Sequence, residues 1–296
     1  MNKMINNKIG DLLVIIAGVC WGLIGIFTRK LGGFGLDSIQ ITFLRNLFAA
    51  IMLLVIVIFK DRKSICIKIK DIWMFCGTGI LSIAFFNVCY FKVIELASLS
   101  VAAILLYTAP AMVMIMSCIF FKEKFTRKKT VALIMAFTGC VFTTGILEGT
   151  ERLSISIIII GLLSGLGYAL YSIFGTWAIR KYNSFTISLY TFFFAFISLI
   201  PLCDVKATVN ILLGNHTTIW ISIGLAAVST IVPFLCYTAG LKRMEAGKAS
   251  IMAFIEPLVA ALCGILIFNE KVSISNVIGI VFIFLSVIIL NIREKS

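Results

Sequence analysis

A single histidine, four prolines and only thirteen acidic side chains are spread over 296 residues. With His216 as the lone imidazole, no HExxH zinc helix can be assembled. No GxSxG elbow, Walker loop or GxGxxG turn occurs either, so the usual constellations of hydrolysis and nucleotide binding are missing. Nine cysteines are present, but no two stand in a CxxC pair. Seven of them (Cys20, Cys76, Cys89, Cys118, Cys140, Cys236 and Cys263) fall inside apolar runs, where cysteine acts as a small hydrophobe. Neither a metal site nor a cofactor is called for, and a disulfide framework is not expected. Charge is scarce too. Charged residues make up 13% of the chain and hydrophobic ones 61%, which leaves no composition for a soluble domain.

What is there instead is hydrocarbon-compatible helix. A bilayer core needs about 20 apolar residues per helical crossing. Ten such stretches can be marked, at about 11–28, 39–59, 71–91, 98–121, 130–147, 155–179, 185–202, 218–240, 249–268 and 273–292. The first resembles a secretory leader, with Lys3 and Lys8 ahead of it, but its apolar run is too long and lacks a small-x-small cut site. It reads as a retained helix. The expectation is an all-α integral membrane protein, a single membrane domain over residues 1–296.

Shifting the chain by 147 positions lays its first half on its second without a gap. Cys89-Tyr90 meet Cys236-Tyr237, Pro110 meets Pro257, and Phe121, Glu123 and Lys124 meet Phe268, Glu270 and Lys271. Over residues 87–124 the register gives eight identities in 38 pairs. Each copy, residues 10–147 and 154–292, carries five spans. An odd number forces the second copy to enter the bilayer upside down, the inverted-repeat plan of secondary transporters.

The net charge of +13 reports topology and gives no reason to expect a nucleic-acid partner. With the N-terminus inside, nineteen lysines and arginines fall in inside segments and six (Arg29, Lys30, Lys92, Arg152, Lys206 and Lys271) outside, with Arg45 in the membrane. That asymmetry puts both termini in the cytoplasm.

Small and polar residues mark the faces turned inward. On the ninth span Ala249, Ala253, Glu256, Ala260 and Gly264 share a stripe opposite Ile251, Phe254, Ile255 and Leu258. The first span lines up Gly18, Gly22 and Gly25 beside Trp21. Its counterpart, the sixth, lines up Gly161, Ser164, Gly165, Tyr168, Ser172 and Gly175. Such stripes suit close helix packing and cavity lining alike. Asn87 and Tyr90 on the third span, Tyr107 on the fourth and Tyr237 on the eighth add aromatic and amide groups on equivalent helices. Pro110, Pro233 and Pro257 interrupt spans and free the carbonyls of Leu106, Ser229 and Ala253. A repeat-matched pair of breaks, Pro110 and Pro257, is the best sequence pointer to a transport site.

Glu256 precedes Pro257 at about 10 Å from the inner end of its span. An ionised carboxylate there costs about 2.5–3.5 kcal/mol unless water, a cation or a proton meets it. Three roles fit: binding a substrate amine or cation, carrying a coupling proton, or capping the carbonyl freed by Pro257. Its repeat mate is Ala109, so the role is held by one half alone. Arg45 reads as structural, its guanidinium tied to carbonyls or a carboxylate. Glu123 and Glu270 end their helices and read as terminal anchors or gate contacts.

Taken together, these residues resemble the EamA-type transporters of the drug/metabolite transporter superfamily over essentially the whole chain. The carriers are Tyr107-Thr108-Ala109-Pro110 through Phe121-Lys122-Glu123-Lys124-Phe125, and Ile255-Glu256-Pro257 through Phe268-Asn269-Glu270-Lys271-Val272. Gly18-Val19-Cys20-Trp21-Gly22 and Arg45 also fit. The resemblance implies ten helices, cytoplasmic termini and export of small metabolites, often amino acids or related compounds. The expected protein is a bacterial inner (plasma) membrane exporter working by alternating access. Trp21, Asn87, Tyr90, Tyr107, Tyr168, Tyr237 and Glu256 would face a small-molecule substrate, with Glu256 the candidate for proton coupling. A passive facilitator is the main rival. An intramembrane enzyme lacks a nucleophile–base pair or metal cluster.

Overall fold

A computed structural model describes residues 2–144, 154–268 and 273–291. Helix is the only regular structure among them, as expected where backbone polar groups must pair within their own segment. Eight helical spans are long and apolar enough to cross a membrane: α1 (Lys8–Gly32), α2 (Ser38–Lys60), α3 (Ile69–Leu96), α4 (Leu99–Phe121), α6 (Ile155–Ala178), α7 (Ser184–Leu202), α8 (His216–Leu241) and α9 (Ala246–Phe268). Two shorter helices, α5 (Arg127–Thr143) and α10 (Ile274–Asn291), complete a bundle of ten. Asp37, Ser98, Thr126, Ser154, Asn183 and Asn215 start their helices by accepting a first-turn N–H. Ser273, 147 residues after Thr126, does the same for the first turn of α10. The expected loop between α7 and α8 departs from the sequence reading. It holds a surface helix, Val205–Gly214, and His216 is the first residue of α8. Glu270 and Lys271 lie outside the described residues.

The packing respects the repeat. Helix α2 lies on α7, and α5 on α10; α1 lies on α8 and α9, as α6 lies on α3 and α4; α4 meets α9. Exchanging the first five helices for the last five maps this set of neighbours onto itself. The same symmetry reaches single glycines. A Cβ on Gly18 would strike Ile255 and come within 3.3 Å of the Ala253 carbonyl. On Gly165, its repeat mate, a Cβ would stand 2.8 Å from Thr108 Oγ1 and 3.0 Å from the Leu105 carbonyl. Each glycine lets its helix approach the other helix's break.

Those breaks are matched. Helix α4 stops at Leu106 and restarts at Ala109, and α9 stops at Met252 and restarts at Ile255. Pro110 and Pro257 sit in the first turn after each break, where a missing N–H costs little. A second matched pair was not legible beforehand. Residues 77–84 of α3 and 227–231 of α8 widen into π-helix. The repeat-equivalent bonds Phe85 N–H to Ile80 O and Val232 N–H to Ala227 O both span five residues. Pro233 follows the second of these, but Phe86 stands at its place in the first half. Proline is therefore not what creates the π turn. The α9 break also corrects the inward and outward faces assigned to that span. Ile251 and Phe254 are buried, because the helical wheel does not continue across residues 253–254.

On the face where the chain begins, the bundle is tied shut. Helix α4 ends with Lys122 in the left-handed region (φ 58°) and Glu123 N–H donating to Ser117 O at 3.3 Å, a Schellman-type turn. This turn aims the Glu123 carboxylate at α9, where it accepts N–H bonds from Ala246 (2.7 Å) and Gly247 (3.1 Å). Lys129 bridges Glu123 (3.6 Å) and Glu245, and Asp11 pairs with Lys248 at 2.6 Å. Beside them Lys181 and Tyr182, after α6, bond to Asp71 at the start of α3 (2.6 and 2.8 Å).

Two predictions follow from this packing. Gly18→Ala and Gly165→Ala should each lower the thermal midpoint of the purified protein, since overpacking costs roughly 1–3 kcal/mol. Gly32→Ala, with nothing within 4 Å of the added atom, should leave the midpoint in place. Removing a helix cap costs about 0.5–2 kcal/mol, so Glu123→Ala should speed amide exchange across residues 246–252 by roughly twofold to thirtyfold, measured by hydrogen–deuterium exchange.

Candidate functional site

Between the two sets of five helices lies a cavity of about 660 Å³. Its mouth is formed by Thr28 and Arg29 on α1, Ser38 on α2, Leu99 and Ser100 on α4, Thr144 after α5 and Phe268 on α9. These are all span ends on the face opposite the N-terminus. The cavity is thus open on one face, while the ion pairs close the other.

All seven side chains singled out in the sequence border this space: Trp21, Asn87, Tyr90, Tyr107, Tyr168, Tyr237 and Glu256. Much of the wall is aromatic. The Trp21 ring lies 5.2 Å from Phe234, 5.3 Å from Tyr237 and 6.4 Å from Tyr168, and Phe86 meets Tyr168 edge-on at 5.6 Å. Hydroxyl bonds lock two of the rings. Tyr237 pairs with Ser172 at 2.8 Å, and Tyr171 with Thr238 at 2.7 Å. Asn87 donates to the Ile83 carbonyl in the π segment at 2.7 Å, which leaves its amide oxygen available.

Glu256 is held by one direct contact, the Tyr168 hydroxyl donating to Oε2 at 3.2 Å. The Ala253 carbonyl, freed by Pro257, accepts the backbone N–H of Glu256 at 2.9 Å. The main chain therefore supplies the cap, and the carboxylate is left for the cavity. Arg45, read beforehand as structural, also borders the cavity; it is buried, and its Nε has no hydrogen-bond partner. It and Glu256 attract each other through space without forming an ion pair. Their repeat mates are Phe192 and Ala109, so the bundle's symmetry is broken where the cavity carries charge.

Among the prolines, Pro257 lines the main cavity and Pro110 a small one beside it, while Pro233 is buried in α8 beyond the π segment. Sequence reasoning overlooked Tyr171 and Phe234 as wall residues. Tyr171 is one position off the glycine stripe of α6, and Phe234 is carried inward by the π turn. No cluster of three or more histidine, cysteine or acidic residues suited to a metal exists among the described residues.

The EamA-like transporter family model matches this chain twice, over residues 8–145 and 155–292. An uncharacterized transporter of Archaeoglobus fulgidus is 29% identical, over 95% of this chain and 96% of its own. The uncharacterized inner membrane transporter YicL of Salmonella typhimurium is 24% identical, over 97% and 96%. One solved structure shares the fold, with a TM-score of 0.75 at 13% identity and 95% coverage of both chains. Two family matches in tandem, on a ten-helix bundle with a central cavity, make the conclusion plain: the chain is a multi-pass membrane transporter and belongs to the EamA-like transporter family.

Proposed function

We propose that the protein exports small organic metabolites, amino acids or other amine-bearing compounds, across a bacterial inner membrane by alternating access. The observation that carries this reading is the cavity itself, bordered by Glu256 and aromatic rings, open on one face and tied shut on the other. With the termini in the cytoplasm, as the positive-charge asymmetry argues, this conformation faces outward. Aromatic walls suit a solute with apolar surface and attract cations through their ring faces. Glu256 supplies a negative charge in low dielectric, where an ammonium group or a proton is the natural partner. Arg45 keeps a positive charge in view of the same space and suits a solute's carboxylate.

Switching would break the bonds of Glu123, Lys129, Glu245, Asp11 and Lys248 and close the opposite mouth. The two halves would rock about the crossing of α4 and α9, whose breaks Gly165 of α6 and Gly18 of α1 approach closely. A passive facilitator would need no coupling group, so Glu256 between the halves favours the coupled reading.

The test is flux in proteoliposomes, with a panel of amines and amino acids screened first by thermal stabilisation of the purified protein. A ligand from that panel should accumulate against its gradient when a pH gradient is imposed; equilibration without accumulation would establish the facilitator. Glu256→Gln should reduce pH-driven accumulation at least tenfold, about 1.4 kcal/mol, with an unchanged melting curve. Wild-type flux and pH dependence in that variant would remove Glu256 from both binding and coupling.

A further inference from the structure

A second cavity of about 10 Å³ lies where the two broken helices cross, bordered by Leu106, Tyr107, Ala109, Ser250, Tyr168 and Glu256 among others. Glu256 borders both this space and the main cavity. A void of about this size takes one water molecule if two to four polar groups converge on it.

The polar groups are present, and their hydrogen bonding is incomplete. Pro110 has no N–H to give Leu106, and the Leu106 carbonyl accepts no hydrogen bond among the described residues. The equivalent carbonyl in the second half, Ala253, is satisfied by Glu256 N–H at 2.9 Å. Ala109 makes no such bond to Leu106, so the first break is the more open of the two. Glu256 Oε2 accepts from Tyr168, and Oε1 accepts no hydrogen bond from the described residues. Ser250 Oγ gives its hydrogen to Gly247 O at 2.9 Å and keeps lone pairs. Glu256 and Leu106, each with an acceptor oxygen that lacks a donor among the described residues, thus both border a space the size of one two-proton donor.

We infer that this crossing binds one ordered water, which donates one hydrogen to Glu256 and the other to the Leu106 carbonyl. The water supplies, in the first half, the link that the second half makes through its own backbone. It joins the one acidic side chain among the described residues of the cavity wall to the break in the other half. The carboxylate's other charged or titratable neighbours are Arg45 on α2, Tyr90 on α3, Tyr107 on α4, Cys140 on α5 and Tyr168 on α6. Among these, only Tyr107 and Tyr168 also border the small void. The inference rests on the reading of Glu256 as a functional carboxylate, and it concerns the link from that group to α4.

Two measurements test it, with no substrate needed. An experimental map that resolves ordered solvent should show one peak within hydrogen-bond distance of both the Leu106 carbonyl and the Glu256 carboxylate. A dry void, or a peak that requires Na⁺ in the buffer, would overturn the inference. Infrared difference spectra between two pH values should contain an O–H stretch that shifts in ¹⁸O-labelled water. Ala109→Val, which fills the void, and Pro110→Ala, which returns a backbone donor to Leu106, should each abolish that band. Persistence of the band in a folded Pro110→Ala protein would overturn the assignment, and this variant keeps the test decisive if Ala109→Val does not fold. Loss of transport with the water in place would count against the exporter reading alone, whereas intact transport with a dry void would count against this inference alone.

Discussion

Inside hydrocarbon, every peptide N–H and C=O must find a partner within the protein, and that constraint decides where this chain can depart from regular helix. Besides a turn at Leu23 in α1, it does so at four places, two in each half, each packed on one side against protein. The breaks of α4 and α9 lie where glycines of α6 and α1 come close. The π segment of α3 abuts the opposite half at Gly77, which meets Phe174, and its repeat mate Gly224, just before the π segment of α8, meets Phe27. The lipid-facing surface carries bulky apolar residues such as Ile159, Leu266 and Phe284, which are more than half exposed.

Symmetry builds the bundle, and the departures from symmetry build the site. One cap pair (Thr126 and Ser273), two glycine pairs, the prolines at 110 and 257 and the π turns recur at a spacing of 147 residues, and helix neighbours exchange cleanly between the halves. Arg45 and Glu256 do not recur. A cavity made by two equivalent halves, with Arg29 at its mouth, is thereby given one positive and one negative group in fixed places deeper in its wall. The ties at one face and the opening at the other are a further departure, one that an alternating mechanism would reverse. Glu123 closes its face through a left-handed turn and two backbone hydrogen bonds, contacts that a modest conformational free energy can break.

Much of this was legible in the sequence because membrane helices obey few rules. Hydropathy located the spans, and the 147-residue register gave the repeat. Small-residue stripes pointed Trp21, Tyr168 and Glu256 toward the same space. Stripe reasoning failed where helices stop being regular. Ile251 and Phe254 are buried because α9 restarts at residue 255, and Phe234 reaches the wall because a π turn rotates α8. No residue type announces the π turn of α3, which forms without proline. That Arg45 borders the cavity was not legible for another reason. A long side chain can snorkel or point inward, and only the positions of neighbouring helices decide which.

The central claim is that two closures alternate about the crossing of α4 and α9. Pulsed electron paramagnetic resonance on the protein in lipid nanodiscs tests it most directly. One label pair would stand at Phe125→Cys and Lys242→Cys on the N-terminal face, another at Lys30→Cys and Leu96→Cys on the opposite face, with native cysteines replaced. The account predicts two distances for each pair, with populations that move in opposite directions as pH changes. One unchanging distance for both pairs under all conditions would contradict it.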